Sequence, residues 1–114
     1  MDLNPIQEGR ILILAPQGRI DHDSAAAFSA ALVPHLAECK SDGTALILDF
    51  SGVEYISSVG LRALMLAARQ VKAQNGRIAI AALLPVVKEF IEISRFNLIY
   101  RVFDSVEEAV RELS

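Results

Sequence analysis

The sequence predicts an α/β fold: a mixed, mostly parallel sheet of about four to five strands with helices packed against it. Two observations carry that expectation. Short aliphatic runs bounded by turn residues recur along the chain, and between them lie stretches with apolar residues at three- and four-residue spacings. Several runs are apolar at consecutive positions, as strands covered on both faces are.

The first strand is read at residues 11–15, an aliphatic run between Gly9 and the Pro16-Gln17-Gly18 turn signal. A helix follows, with Asp23 or Ser24 as its N-cap, Ala25, Phe28, Leu32, Leu36 and Cys39 on one stripe, and an end near Lys40. Pro34 falls inside it. An interior proline removes a hydrogen bond and clashes with the preceding turn, so a kink or a break is expected there. Residues 45–50 form the second strand. The helix after it carries Leu61, Leu64, Met65, Ala68, Val71 and Lys72 along one side and is stopped by Asn75-Gly76. Residues 77–82 are the third strand, and Pro85 opens a third helix with Val87, Phe90, Ile91 and Ser94 recurring along it. A weaker strand at residues 100–103 precedes a last helix capped by Ser105. There Glu107 and Glu108 suit the positive end of the dipole, Glu108 stands in the capping-box position, and Val106, Ala109, Val110 and Leu113 form the apolar stripe.

A chain of 114 residues has room for one domain, expected over residues 1–114. With 53% hydrophobic and 22% charged residues it has enough apolar side chain to offset the entropy of ordering, which excludes intrinsic disorder. Eleven basic against fourteen acidic residues give a net charge of -3 with no basic run, so a grip on nucleic acid is poorly supported. No apolar run approaches the roughly 18 to 20 residues of a membrane span, and residues 1–10 do not resemble a signal peptide. A cytoplasmic protein without membrane insertion is expected. The single cysteine, Cys39, excludes an internal disulfide and a cysteine metal cluster, and reads as a core or half-buried thiol.

Residues 49–62 join the second strand to the cleanest helix, and functional groups in open α/β sheets collect at the carboxyl ends of strands. Ser57 and Ser58 fall where that helix begins. Either could be its N-cap, accepting an orphan backbone N–H for about 1 kcal/mol. The chemical alternative is phosphorylation, since a helix N-terminus offers free N–H groups and positive dipole to a phosphate. Such a modification adds about -1.5 to -2 charge units to the surface without requiring anything to unfold.

Leu48-Asp49-Phe50-Ser51-Gly52-Val53, followed by Tyr55-Ile56-Ser57-Ser58-Val59-Gly60-Leu61, resembles the signature of STAS domains, and more narrowly that of the bacterial anti-sigma factor antagonists. Gly18-Arg19-Ile20-Asp21, the Asn75-Gly76-Arg77 turn and residues 84–103 are similar to further elements of that family, so the resemblance covers nearly the whole chain. It implies the STAS-like sandwich, and a regulator that is not an enzyme and needs no cofactor. The family motif reads Asp-Ser-[Ser/Ala]-Gly-Leu, and its first serine is phosphorylated by a partner that is both anti-sigma factor and serine kinase. That serine corresponds to Ser58, with Val59 at the small position and Gly60 and Leu61 matching. Ser57 replaces the usual Asp, which removes a negative charge beside the acceptor and adds a second hydroxyl.

The resemblance implies partner switching. Unphosphorylated, the domain binds the anti-sigma factor/serine kinase; phosphorylated on Ser58, it releases it; a metal-dependent, PP2C-type serine phosphatase resets it. Asp21 is then expected near Ser58, positioning the acceptor, with Gly60 allowing close backbone approach. Taken by itself, Asp21 reads as a loop or capping carboxylate. The resemblance also admits a non-switching reading, an accessory subunit such as those of bacterial lipid-transport ATP-binding-cassette complexes.

Other constellations carry little. Ser58 with His22 or His35 and Asp21 or Asp49 lacks the Gly-x-Ser-x-Gly elbow and an oxyanion-hole glycine cluster. Asp21-His22-Asp23 are adjacent residues that cannot all point at one metal, and no phosphate-cradling glycine loop occurs. Arg62, Arg69, Lys72 and Arg77 read as ordinary solvated positions, Arg62 being available to a partner.

Overall fold

The computed structural model describes all residues, Met1–Ser114. In chain order the elements are β1 (Ile6–Glu8), β2 (Ile11–Leu14), β3 (Gly18–Ile20), α1 (Ala25–Glu38), β4 (Ala45–Asp49), β5 (Val53–Ile56), α2 (Ser58–Ala73), β6 (Ile78–Ala81), α3 (Pro85–Ile93), a 3-10 turn (Phe96–Leu98), β7 (Arg101–Phe103) and α4 (Val106–Leu113). Five strands form one sheet in the order β1-β2-β4-β6-β7, and β3 pairs with β5 in a separate parallel ribbon. Only the β1–β2 pair in the main sheet is antiparallel, closed by Gly9 at φ 61°.

Strand alternation divides the core. Leu46 and Leu48 of β4, with Leu14 and Ile80, point to one face and pack under α1, α2 and α3 in a cluster of 23 buried residues. Ala45 and Ile47 point the other way and join Ile11, Ile13, Ala79, Ala81 and Phe103 beneath α4. Both faces of the sheet are thus covered, which is why β4 is buried at four consecutive positions.

The helix ends follow local chemistry. Ser105 Oγ accepts the Glu108 N–H at 3.1 Å, and Pro85 occupies the first turn of α3. Asn75 takes the left-handed conformation after α2, at φ 59°, and Gly76 follows so tightly that a Cβ there would run into the Cys39 carbonyl. Gly76 therefore lets α2 turn directly past the end of α1.

Several expectations are corrected. Strands β1, β3 and β5 carry no aliphatic run: β1 is exposed at all three residues, and the residue 49–62 segment is not one loop but contains β5. These short strands exist because backbone pairing to β2, or of β3 with β5, satisfies them. Helix α1 is not broken at Pro34, which faces solvent while Phe28 and Leu32 before it and Leu36 after it anchor the helix to the core; it ends at Glu38. Phe90 is not a core residue of α3, whose buried residues are Val87 and Ile91: it is partly exposed and packs against β5. No helix is long and apolar enough to cross a membrane.

Candidate functional site

The site is built where the β3–β5 ribbon delivers the chain to two helix N-termini. Ile20 opposes Ile56 across the ribbon, and just beyond that pair the Ser57 N–H donates to the Ile20 carbonyl at 2.8 Å. Asp21, which leads into α1, and Ser58, which begins α2, are each one residue past that hydrogen bond.

Of the two serines, Ser57 makes the cap. Its backbone is extended (φ -84°, ψ 171°) and its half-buried Oγ accepts the Gly60 N–H at 3.1 Å. Ser58 is the first helical residue, exposed, and its hydroxyl takes no part in the cap. The first turn of α2 contains no acidic side chain. A free hydroxyl therefore stands in the positive field at the head of a 16-residue helix.

Gly60 is buried by its surroundings. A Cβ there would lie 2.8 Å from Ile56 Cγ1, 2.9 Å from Ile20 Cγ2 and 3.2 Å from the Ile20 carbonyl oxygen, so α2 is seated flush on the ribbon. Leu61 closes the first helical hydrogen bond to the Ser57 carbonyl and is half-buried against the core. Arg62, one turn after Ser58, is exposed, as is Val59.

Asp21 is occupied within its own turn. One carboxylate oxygen accepts the Ser24 N–H at 3.0 Å, the Asp23 N–H at 3.1 Å and the Ser24 hydroxyl at 3.0 Å. Hydrogen bonds from Ser24, the backbone N–H first, hold its pKa below the usual carboxylate value. Ser24 stands at the N-cap position of α1 with helical dihedrals and no side-chain cap of the helix; its hydroxyl instead accepts the Asp21 N–H at 2.9 Å, so Asp21 and Ser24 close the turn reciprocally while Asp23 contributes its backbone N–H. No hydrogen bond joins Asp21 to Ser58; the bond from the Ser57 N–H to the Ile20 carbonyl sets the two at neighbouring helix heads.

Sequence reading missed the support beneath this corner. The Arg19 guanidinium lies 4.4 Å from the centroid of the Tyr55 ring, and Tyr55 meets Phe90 edge-on with centroids 5.9 Å apart. This stack ties β3, β5 and α3 together. β5 carries no period-2 signal of it, since Val53 and Ile56, three positions apart, are both buried around exposed Glu54 and half-buried Tyr55.

The STAS domain family model matches residues 3–109. BtrV of Bordetella bronchiseptica, named as a candidate anti-sigma factor antagonist, is 34% identical over 99 residues, which cover 87% of this chain and 83% of BtrV. A Thermotoga maritima crystal structure, described in the same terms, superposes with a TM-score of 0.87 at 19% identity, covering 96% of this chain and 92% of that one. The Bacillus anti-sigma factor antagonist SpoIIAA superposes in its unphosphorylated form with a TM-score of 0.77 at 18% identity (96% and 94% covered) and in its phosphorylated form with 0.72 at 17% (97% and 98%). With the family model spanning nearly its full length and a relative at this identity, the chain belongs to the STAS domain family, among the relatives named as anti-sigma factor antagonists.

Proposed function

We propose that this domain is the antagonist component of a cytoplasmic partner switch. Unphosphorylated, it binds an anti-sigma factor that is also a serine kinase; phosphorylated on Ser58, it lets that partner go; a metal-dependent serine phosphatase of the PP2C type restores it. The chain is then a ligand and a substrate, and catalyses nothing itself. The observation that carries this reading is the division of labour between adjacent hydroxyls: Ser57 holds the helix while Ser58 is exposed and uncommitted. A phosphate on Ser58 leaves the cap intact and meets the positive end of the α2 dipole, so the fold tolerates it while the surface charge changes. Arg62, Val59 and Leu61 belong to the same face or turn and supply the partner contacts that the charge would disturb. The names of BtrV and SpoIIAA, and the existence of SpoIIAA in two phosphorylation forms, support the reading.

Peptide mass spectrometry on the protein from its native cells, with and without phosphatase treatment, tests it. The expected result is a phosphatase-sensitive phosphate localised to Ser58, with Ser58→Ala binding the anti-sigma partner constitutively and Ser58→Asp binding it weakly. A peptide that stays unmodified across growth and stress conditions, together with recovery of transporter subunits on pull-down, would replace this reading with the accessory-subunit one.

A further inference from the structure

Three of the cations that look like isolated solvated positions in the sequence are gathered by the fold. Arg69 and Lys72 near the end of α2 and Arg77 just before β6 meet Arg101 of β7 around one open groove of about 780 Å³. No acidic side chain lines it, although the chain as a whole carries a net charge of -3. Arg101 is paired with Glu112 at 3.7 Å and Arg77 donates to the Leu113 carbonyl, but Arg69 and Lys72 form no ion pair. Leu98 and Ile99 stand on the same groove with 76% and 48% of their surface exposed. Arg95 adopts a left-handed backbone (φ 59°) at the exit of α3, and this turn buries Phe96 while leaving Leu98 outward.

We propose that this groove docks an acidic segment of a partner protein bearing leucine-like anchors. Charge complementarity selects the acid: Arg69 and Lys72 stand without ion pairs on a groove that no acidic side chain lines, beside Arg77 and the Glu112-paired Arg101. The exposed Leu98 and Ile99 select the apolar anchor, since solvent exposure of both is relieved only by a partner's side chains. An open groove suits a peptide segment, whereas small-molecule sites enclose most of their ligand. Arg69 follows Ser58 by eleven residues of helix, about 16 Å of axial rise, which exceeds the screening length of about 8 to 10 Å at physiological salt. The groove therefore holds its partner in either phosphorylation state of Ser58, and the inference stands independently of the switch.

The test uses the whole chain, labelled with nitrogen-15, and a short acetylated peptide of alternating Glu-Glu-Leu-Leu blocks beside its Lys-for-Glu counterpart. The acidic peptide is expected to shift the amide resonances of Arg69, Lys72, Leu98, Ile99 and Arg101 saturably and to leave those around Ser58 unmoved. Combined Arg69→Gln and Lys72→Gln substitution is expected to weaken it about tenfold, as is Leu98→Glu, and raising salt from about 50 to about 200 mM to weaken it several-fold. Ser58→Asp changes the affinity by less than about twofold. All three altered side chains in the groove are exposed, and circular dichroism verifies that the variants fold. Absence of saturable shifts at millimolar peptide, equal binding of the lysine peptide, or indifference to the Gln substitutions overturns the proposal. So does appearance of the same shifts on concentrating the protein alone, which would make the groove a contact between copies of this chain.

Discussion

The two ends of α2 are held by opposite means. At the Ser58 end the helix rests on a packed glycine and one hydroxyl cap, and its remaining polar surface is free. At the Ala73 end it is tied to its neighbours by side chains. Gln74 Nε2 donates to the Leu36 carbonyl at 2.9 Å and the Cys39 carbonyl at 2.8 Å, and the Cys39 thiol donates to the Arg77 carbonyl at 3.0 Å. Between the ends the buried Tyr100 hydroxyl donates to the Leu64 carbonyl at 2.7 Å. The comparison teaches that side-chain hydrogen bonding between elements is concentrated away from the modifiable serine, whose own end is joined to its neighbour by the backbone bond from Ser57 to Ile20. Charge can then be added at one end without loosening the contacts that fix the helix.

The sharpest way to break this asymmetry is Gly76→Ala, whose methyl group would collide with the rigid Cys39 backbone carbonyl. We expect a loss of about 3 kcal/mol in urea unfolding, and a loss below about 1 kcal/mol would show that this end is not closely fitted. Gln74→Ala removes both carbonyl contacts at the same end. It should cost about 2 kcal/mol by the same measurement, and no change would transfer the anchoring role elsewhere.

The central tie has a pH signature. Burial raises the Tyr100 pKa far above its ordinary value near 10, so the neutral form stabilises the fold fully below pH 10 and that contribution falls as pH rises past it. Between pH 9 and 11 this group alone should remove roughly 1.4 kcal/mol. Tyr100→Phe should flatten the alkaline limb of a stability–pH curve by that amount, and parallel curves would contradict the assignment. The smallest effects belong to the Ser58 end. Ser57→Ala should cost about 1 kcal/mol as a lost cap, and Ser58→Ala less than about 0.5 kcal/mol. Reversal of that order in thermal melts would exchange the roles of the two hydroxyls.

The sequence made legible those elements whose burial is written in their own residues. Strands β2, β4 and β6 are aliphatic runs, and α2 and α4 are periodic, because each packs a continuous apolar face. Strands β3 and β5 are illegible as strands because Gly18-Arg19-Ile20 and Val53-Glu54-Tyr55-Ile56 mix polar with apolar residues and so lack the aliphatic run that marks β2 and β6 at similar length. Pro34 misled because its position on the solvent side of α1, which makes it tolerable, depends on tertiary packing. At the site, residue type and spacing located Ser57 and Ser58 but could not divide capping from exposure between them. That division rests on the extended backbone of Ser57, set by its hydrogen bond to Ile20. The basic groove was hidden for the same reason: Arg101 comes from β7, far in sequence from Arg69, Lys72 and Arg77.

The fully buried Cys39 makes the Ala73 end of α2 observable in time. Burial pushes its thiol pKa up, and its sulfur is closed in by the Arg77 carbonyl and by the chain around Gly76. A disulfide reagent attacks thiolate and needs access, so it reacts only in molecules whose α1–α2 junction has momentarily parted. The labelling rate of this single thiol is consequently a clock for the breathing of that junction, and it needs no introduced probe.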